Sequence, residues 1–191
     1  MTKIAIILGS TRPGRHAEQV AGWVLEQASK RGDAEFELLD VADFELPLLD
    51  EAVPPSMGRY EHEHTKRWAA AIEPFDGFIF VTPEYNHSTS GALKNAIDFI
   101  YGEWNNKVAA LVGYGMIGGA RAIEHLRLIL AEVQIATVRQ TLTFSLVTDF
   151  EDFSTFKPGD HQLEPLGTML DQLVSWTKAL EGVRKGAAAT A

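Results

Sequence analysis

Short apolar runs alternate along the chain with longer stretches whose apolar residues recur every three or four positions. The alternation holds from Lys3 to Leu180. Lys3–Leu8 (KIAIIL) is a continuous apolar run closed by Gly9, the pattern of a strand buried on both faces. His16–Lys30 places Val20, Trp23, Val24 and Ala28 on one stripe and predicts a helix. Phe36–Val41 is a weaker strand, Thr65–Ile72 a helix stopped near Pro74, and Gly77–Thr82 (GFIFVT) another buried strand. Ser90–Glu103 aligns Leu93, Ile97 and Ile100 as a helix, and Lys107–Val112 (KVAALV) is a fourth strand. Ala120–Val133 is a helix, Ala136–Phe144 a fifth strand, and Leu166–Leu180 a last helix carrying Met169, Leu173 and Trp176.

Strands separated by helices at about 30-residue intervals predict a parallel sheet covered on both faces. Right-handed crossovers leave few strand orders, among them 2-1-3-4-5, the flavodoxin-like three-layer α/β sandwich. One domain is expected over residues 1–182, with the small, polar stretch 183–191 expected to fray. Ala42–His64, with three prolines and many charges, is expected to be a long functional or mobile loop.

Composition narrows the function classes. The 191 residues hold 17 basic and 26 acidic side chains, a formal net charge of −9, which argues against a nucleic-acid surface. Cysteine is absent, which removes disulfides, thiolate nucleophiles and cysteine-based metal sites and is compatible with a reducing compartment. The apolar run after Met1 is too short for a signal-peptide core or a membrane span, so a soluble, cytoplasmic protein is expected.

In such sheets, ligands sit beyond the C-terminal ends of the strands at the switch in strand order. The loops there carry the unusual residues. After the first strand comes Gly9-Ser10-Thr11-Arg12-Pro13-Gly14-Arg15-His16, leading into a helix. Cations at a helix N-terminus are electrostatically unfavourable unless an anion is normally present. Arg12, Arg15 and His16 therefore point to a phosphate cradle, with Ser10 and Thr11 adding hydroxyl donors. The spacing is not that of a Walker loop. The loop after the third strand, Thr82-Pro83-Glu84-Tyr85-Asn86-His87-Ser88, offers an aromatic face at Tyr85 and hydrogen-bonding groups at Asn86. After the fourth strand, Gly113-Tyr114-Gly115-Met116-Ile117-Gly118 spells GxGxxG. It follows the wrong strand for the dinucleotide fingerprint, and Glu132, about 20 positions on, falls inside a helix. Its glycines are expected instead to let the backbone approach a ring closely. His62 and His64, two apart, are expected to face opposite sides of a helix rather than share a metal. His125 lies within a helix and is expected to be structural or exposed, and Trp104 borders a ligand or an interface, or packs at the surface.

The loop LGSTRPGR, the segment PEYNHSTSGALKNAIDF and the segment GGARAIEHLR together resemble the NADPH-dependent FMN reductase family. That family is flavodoxin-like and includes quinone, azo-dye and chromate reductases. The resemblance spans about Lys3 to Leu180. It implies an NAD(P)H-dependent oxidoreductase with FMN as cofactor, NADPH or NADH as co-substrate and a quinone-like small molecule as acceptor. It also implies a homodimer or homotetramer with flavin sites near the subunit boundaries. Ser10, Arg12 and the start of the first helix would hold the FMN phosphate. Pro83, Glu84, Tyr85 and Asn86 would line the isoalloxazine edge and ribityl chain, and Gly113, Tyr114 and Gly115 would close over the ring. Many members carry Ser and Asn where this chain has Arg15 and Ala17, so Arg15 would supply its charge instead. Some members have a serine in the fourth loop, where Tyr114 and Gly115 stand here. In such an enzyme the cofactor performs the hydride chemistry, and no side chain is singled out as catalytic acid or base. The competing reading is a non-enzymatic electron carrier of the flavodoxin type, whose phosphate loop would be rich in Ser and Thr and free of arginine. A third is an interaction or regulatory protein that keeps the fold without the flavin.

Overall fold

The computed structural model describes residues 1–188. Five parallel strands run in the order β2-β1-β3-β4-β5: β1 Thr2–Leu8, β2 Ala34–Asp40, β3 Gly77–Pro83, β4 Val108–Gly115 and β5 Ala136–Ser145. This is the strand order expected from the sequence. The inner strands β3 and β4 are buried along their whole length, which is why they read as unbroken apolar runs. The edge strand β2 alternates less cleanly and exposes Glu35 and Leu38, which is why it reads as weak. Its charged side chains also discourage pairing with another sheet.

Side chains alternate across the sheet and feed two separate cores. One holds Ile4, Ile6, Leu8, Val81, Val112 and Tyr114 under α1 (Ala17–Ala28) and α5 (Leu163–Ala179). The other holds Ile7, Phe78, Phe80 and Leu111 under α2 (Glu63–Ile72), α3 (Gly91–Asp98) and α4 (Ala120–Glu132). Trp104 belongs to this second core, fully buried against Trp68, Phe78 and Phe80 rather than at the surface. The indoles of Trp68 and Trp104 donate to the consecutive carbonyls of Ala96 (2.8 Å) and Ile97 (3.1 Å), fastening α3 from behind. Trp23 packs in the other core against Phe144 and Phe156, and Trp176 is exposed.

Three segments differ from the sequence expectation. Residues 150–156 form a hairpin, β6 Phe150–Glu151 with β7 Thr155–Phe156, bonded to Gln19 of α1 through Ser154 O (2.9 Å) and Phe156 N (2.8 Å). Glu181–Ala188 is a helix, α6, rather than a frayed stretch. Its Arg184 reaches Asp76 Oδ1 (3.2 Å) and Thr177 O (3.1 Å); residues 189–191 lie outside the described part. The long loop is held rather than loose. Asn95 donates to Pro47 O (2.6 Å) and accepts from Leu49 N (3.0 Å), while Glu51 accepts from the N–H groups of Glu61 and His62 (2.8 and 3.1 Å). His62 precedes α2 in extended backbone, so its ring stacks on His64 at 5.1 Å instead of facing away. His64 bonds Asp50 (2.9 Å), and no metal-ligating cluster occurs among the described residues. No described helix is long and apolar enough to cross a membrane.

Candidate functional site

The switch in strand order falls between β1 and β3, and the loops after these strands are tied together. Gly9 N donates to Val81 O (2.9 Å), and the Ser90 hydroxyl, the N-cap of α3, donates to Gly9 O. Across this seam the Tyr85 hydroxyl lies 3.0 Å from Ser10 Oγ and accepts from Arg12 Nε at 3.2 Å. Ser10 is fully buried and Arg12 exposed. Pro13 and Gly14 (φ +68°) form a turn closed by Arg15 N to Arg12 O (3.2 Å), a backbone shape that requires a left-handed residue at Gly14.

The cradle expected from the sequence has the donors of one. No hydrogen bond among the described residues uses the backbone N–H of Ser10, Thr11, Arg12, His16, Ala17 or Glu18. His16 stands at the N-cap of α1 without capping it by its side chain and packs its ring on Phe150 at 5.1 Å. Unpaired N–H groups at a helix start, together with Arg12, constitute an anion-binding surface.

Arg15 departs from the expectation. Its Nε donates to Glu18 Oε1 (2.9 Å), and Nη2 reaches Asp40 Oδ2 (2.5 Å) and Glu18 Oε1 (2.9 Å). Its Nη1 donates to Asp40 Oδ1 (3.0 Å) and Ser10 O. Four of its N–H donors are thereby hydrogen-bonded within the protein, and the side chain is only 11% exposed. Burial works against its charge, but the bonds to Glu18 and Asp40 outweigh that and raise its pKa. Arg15 is a strut joining the first loop to the end of β2, its guanidinium engaged by two carboxylates.

The third loop is a two-residue hairpin turn. Tyr85 and Ser88 exchange backbone hydrogen bonds (2.9 and 3.1 Å) around Asn86 (φ +48°) and His87 (φ +76°). The backbone of Tyr85 is consumed by this turn, so Tyr85 offers its side chain, whereas Asn86 and His87 present unpaired N–H groups. Pro83 is buried in β3 opposite Tyr114, and Glu84 N donates to Tyr114 O (2.9 Å). The Glu84 carboxylate is 5% exposed and serves α4: it accepts from Arg121 N (3.2 Å) and from Arg121 Nε (2.7 Å). Burial alone would raise its pKa; the Arg121 guanidinium and the N–H groups of Arg121 and Ala122 reverse this and hold it below the usual carboxylate range. Neither the N–H nor the carboxylate of Glu84 is therefore available to a ligand.

In the fourth loop the glycines answer to internal packing. A Cβ on Gly113 would meet Gly119 O at 2.8 Å, and one on Gly119 (φ +78°) would meet Tyr114 N at 2.6 Å. Gly115 packs against Glu84, with a Cβ contact of 3.2 Å. Gly113 and Gly119 are thus required by the close approach of the loop to itself. Tyr114 does not close over this edge; its ring points into the α1/α5 core, with the hydroxyl beside Ser10. Exposed Met116 and Ile117 form the tip of the loop and give this edge an apolar patch. Thr11 lines a separate cleft of about 350 Å³ with Leu46, Ala92 and Asn95.

Two further groups stand at this edge, Arg121, which the sequence did not single out, and His125, which it placed only within a helix. Arg121 organises Glu84, and His125 Nδ1 lies 3.0 Å from Ser88 Oγ, with its ring 6.2 Å from that of His87. Their spacing of four residues on a helix, Arg121 to His125, was the available signal.

Known proteins are similar to this chain in sequence and fold. A chain described as an NAD(P)H-dependent FMN reductase of Nectria sp. is 42% identical over 169 residues, covering 83% of each chain. A quinone reductase of Pseudomonas putida is 31% identical over 188 residues, covering 92% of this chain and 94% of its own. The solved structure of FerB, a flavoenzyme NAD(P)H:(acceptor) oxidoreductase from Paracoccus denitrificans, superposes with a TM-score of 0.71 at 26% identity, over 94% of this chain and 98% of that one. The profile of the NADPH-dependent FMN reductase family matches residues 2–149, which contain all three loops, and the chain belongs to that family.

Proposed function

We propose that this protein is an NAD(P)H-dependent oxidoreductase that holds FMN across the seam between β1 and β3 and reduces a small, quinone-like acceptor. The observation that carries the reading is the set of unpaired backbone N–H groups at the start of α1, flanked by Arg12 and buried Ser10. Thr11 and His16 contribute their unpaired backbone N–H groups to that cradle. The Tyr85 side chain and the N–H groups of Asn86 and His87 would meet the ring system and its polar edge, beside the apolar tip at Met116 and Ile117. When bound, FMN supplies two-electron chemistry, accepting a hydride from a nicotinamide and passing the electrons on. The protein's part is to orient and to supply fixed donors, and Glu84 is committed to Arg121.

The approach of an anionic co-substrate to a chain of net charge −9 is a local matter. Arg12, Arg121, His87 and His125 gather at this one edge and support it. A cytoplasmic homodimer or homotetramer is part of the same reading, supported by the family resemblance and by exposed Leu128 on α4; sedimentation of the purified protein tests the assembly.

One experiment separates the alternatives. The protein is purified, its visible spectrum recorded, and oxidation of NADPH and NADH followed with a quinone present. A yellow protein that turns over is expected. A colourless protein that takes up no flavin on reconstitution would overturn the reading, and a yellow protein inert to both nicotinamides would favour an electron carrier.

A further inference from the structure

The cradle has a floor as well as a rim, and the floor ends in an unmatched group. The Tyr114 ring is packed with Leu8, Val112 and Phe144 in the α1/α5 core, and the residue is 4% exposed. Its hydroxyl is one of two buried side-chain polar atoms among the described residues that complete no hydrogen bond; the other, Thr65 Oγ1, lies on α2 in the opposite core. Tyr114 Oη lies close enough to Ser10 for the two hydroxyls to interact, short of the geometry of a completed hydrogen bond, within the electrostatic reach of Tyr85, Arg12 and Arg15. Burying a hydroxyl unpaired is unfavourable, and phenylalanine would fill the same space without that cost. A phenol retained there calls for a partner.

Ser10 supplies one. A serine hydroxyl has a single proton and two lone pairs. In the structure Ser10 Oγ is 3.0 Å from Tyr85 Oη, itself held by Arg12. A phosphoryl oxygen in the cradle would draw the Ser10 proton outward and leave a lone pair facing the floor, where Tyr114 stands. Burial, joined by Tyr85, raises the pKa of Tyr114, so it keeps its proton and remains a donor throughout the neutral range.

We propose that Tyr114 is a positioning residue of the phosphate site, donating its hydroxyl proton to Ser10 Oγ while Ser10 donates to the phosphate. The inference rests on the FMN reading above and deepens it: the ligand class is a phosphomonoester, and the hydroxyl pair reads the phosphate rather than the ring.

The test is Tyr114→Phe, titrated after flavin removal with FMN and, separately, with riboflavin, which lacks the phosphate. FMN affinity is expected to fall about tenfold, since a hydrogen bond in a charged network is worth about one decade or more. Riboflavin affinity should stay within about twofold, and the flavin-free variant should melt at or above the parent, because an unpaired buried hydroxyl has been removed. FMN affinity left unchanged, or FMN and riboflavin weakened equally, would overturn the proposal in favour of plain packing. Ser10→Ala gives a second measurement: on that background Tyr114→Phe should cost nothing further, and an additive loss would show that Tyr114 does not act through Ser10. A parent protein that binds riboflavin and FMN equally would refute the phosphate site itself, and one that binds neither would overturn the functional reading and this inference with it.

Discussion

Arg12 and Arg15, three residues apart in one loop, should fail in opposite ways when truncated. Arg15→Met removes four hydrogen bonds and an ion-pair contact to Glu18, and leaves Asp40 at the end of β2 without its counter-charge. Removing one partner of a buried pair costs roughly 3–5 kcal/mol. Asp40 is 20% exposed and keeps the bond from Ala42 N (2.9 Å), so the low end applies, about 3 kcal/mol. For a chain of this size each kcal/mol moves the melting temperature by roughly 2–4 °C, giving a loss of about 6–12 °C. Arg12 is exposed and makes two long bonds, to Tyr85 (3.2 Å) and Gly14 O (3.4 Å), so Arg12→Ala should melt within about 2 °C of the parent. It loses instead a charge-assisted bond to the phosphate, worth about 1.5–3 kcal/mol, or roughly 10- to 100-fold in FMN affinity. Thermal melts of flavin-free protein and fluorescence titrations with FMN read the two effects separately. If Arg15→Met melted like the parent and weakened FMN as much as Arg12→Ala, Arg15 would be a ligand after all, and its assignment as a strut would be wrong.

Lys107 provides a pH test far from the site. It is buried at the start of β4, donating to Ile72 O (3.2 Å) and Glu73 O (3.1 Å), and burial lowers its pKa to about 8 from 10.5. The unfolded chain therefore binds more protons than the fold between about pH 8 and 10.5, and stability should rise with pH across that interval. In Lys107→Met this rise should be missing from the melting curves; an identical slope in both proteins would count against the assignment. Gly113→Ala should lower the melting temperature of flavin-free protein by several degrees, because its Cβ would stand 2.8 Å from Gly119 O and overpacking costs about 1–3 kcal/mol. A variant that lost only FMN binding would favour the ring-approach role for that glycine.

The sheet was legible because strands covered on both faces leave an unbroken apolar signature, and β3 and β4 do so along their whole length. The hairpin at 150–156 was not, since strands of two residues have no period and its turn places Asp152 and Phe153, not glycine, at positive φ. Asn86 and His87 are residue types that tolerate positive φ, but the turn itself is closed by backbone bonds between Tyr85 and Ser88. Helix α6 was concealed for another reason: its composition is that of a loose tail, and what docks it is an ion pair between Arg184 and Asp76, far apart in sequence. At the site, a local motif gathers the arginines of the proposed anion loop but could not apportion them. Asp40, which captures Arg15, lies on the next strand, and Glu84 is claimed by an arginine on α4. Motifs report which residues gather, while partners distant in the chain decide what each of them does.

The placement of the tryptophans makes the molecule its own optical gauge. Trp68 and Trp104, shielded from water and fastened to adjacent carbonyls of α3, emit from the layer directly behind the Tyr85–Ser88 turn. Trp23 samples the opposite layer, beneath the hairpin. Replacing exposed Trp176 with phenylalanine would strip away the water-relaxed component of the emission. What remains would then distinguish, without any attached dye, a loosening of α3 from a loosening of the layer that carries the phosphate cradle.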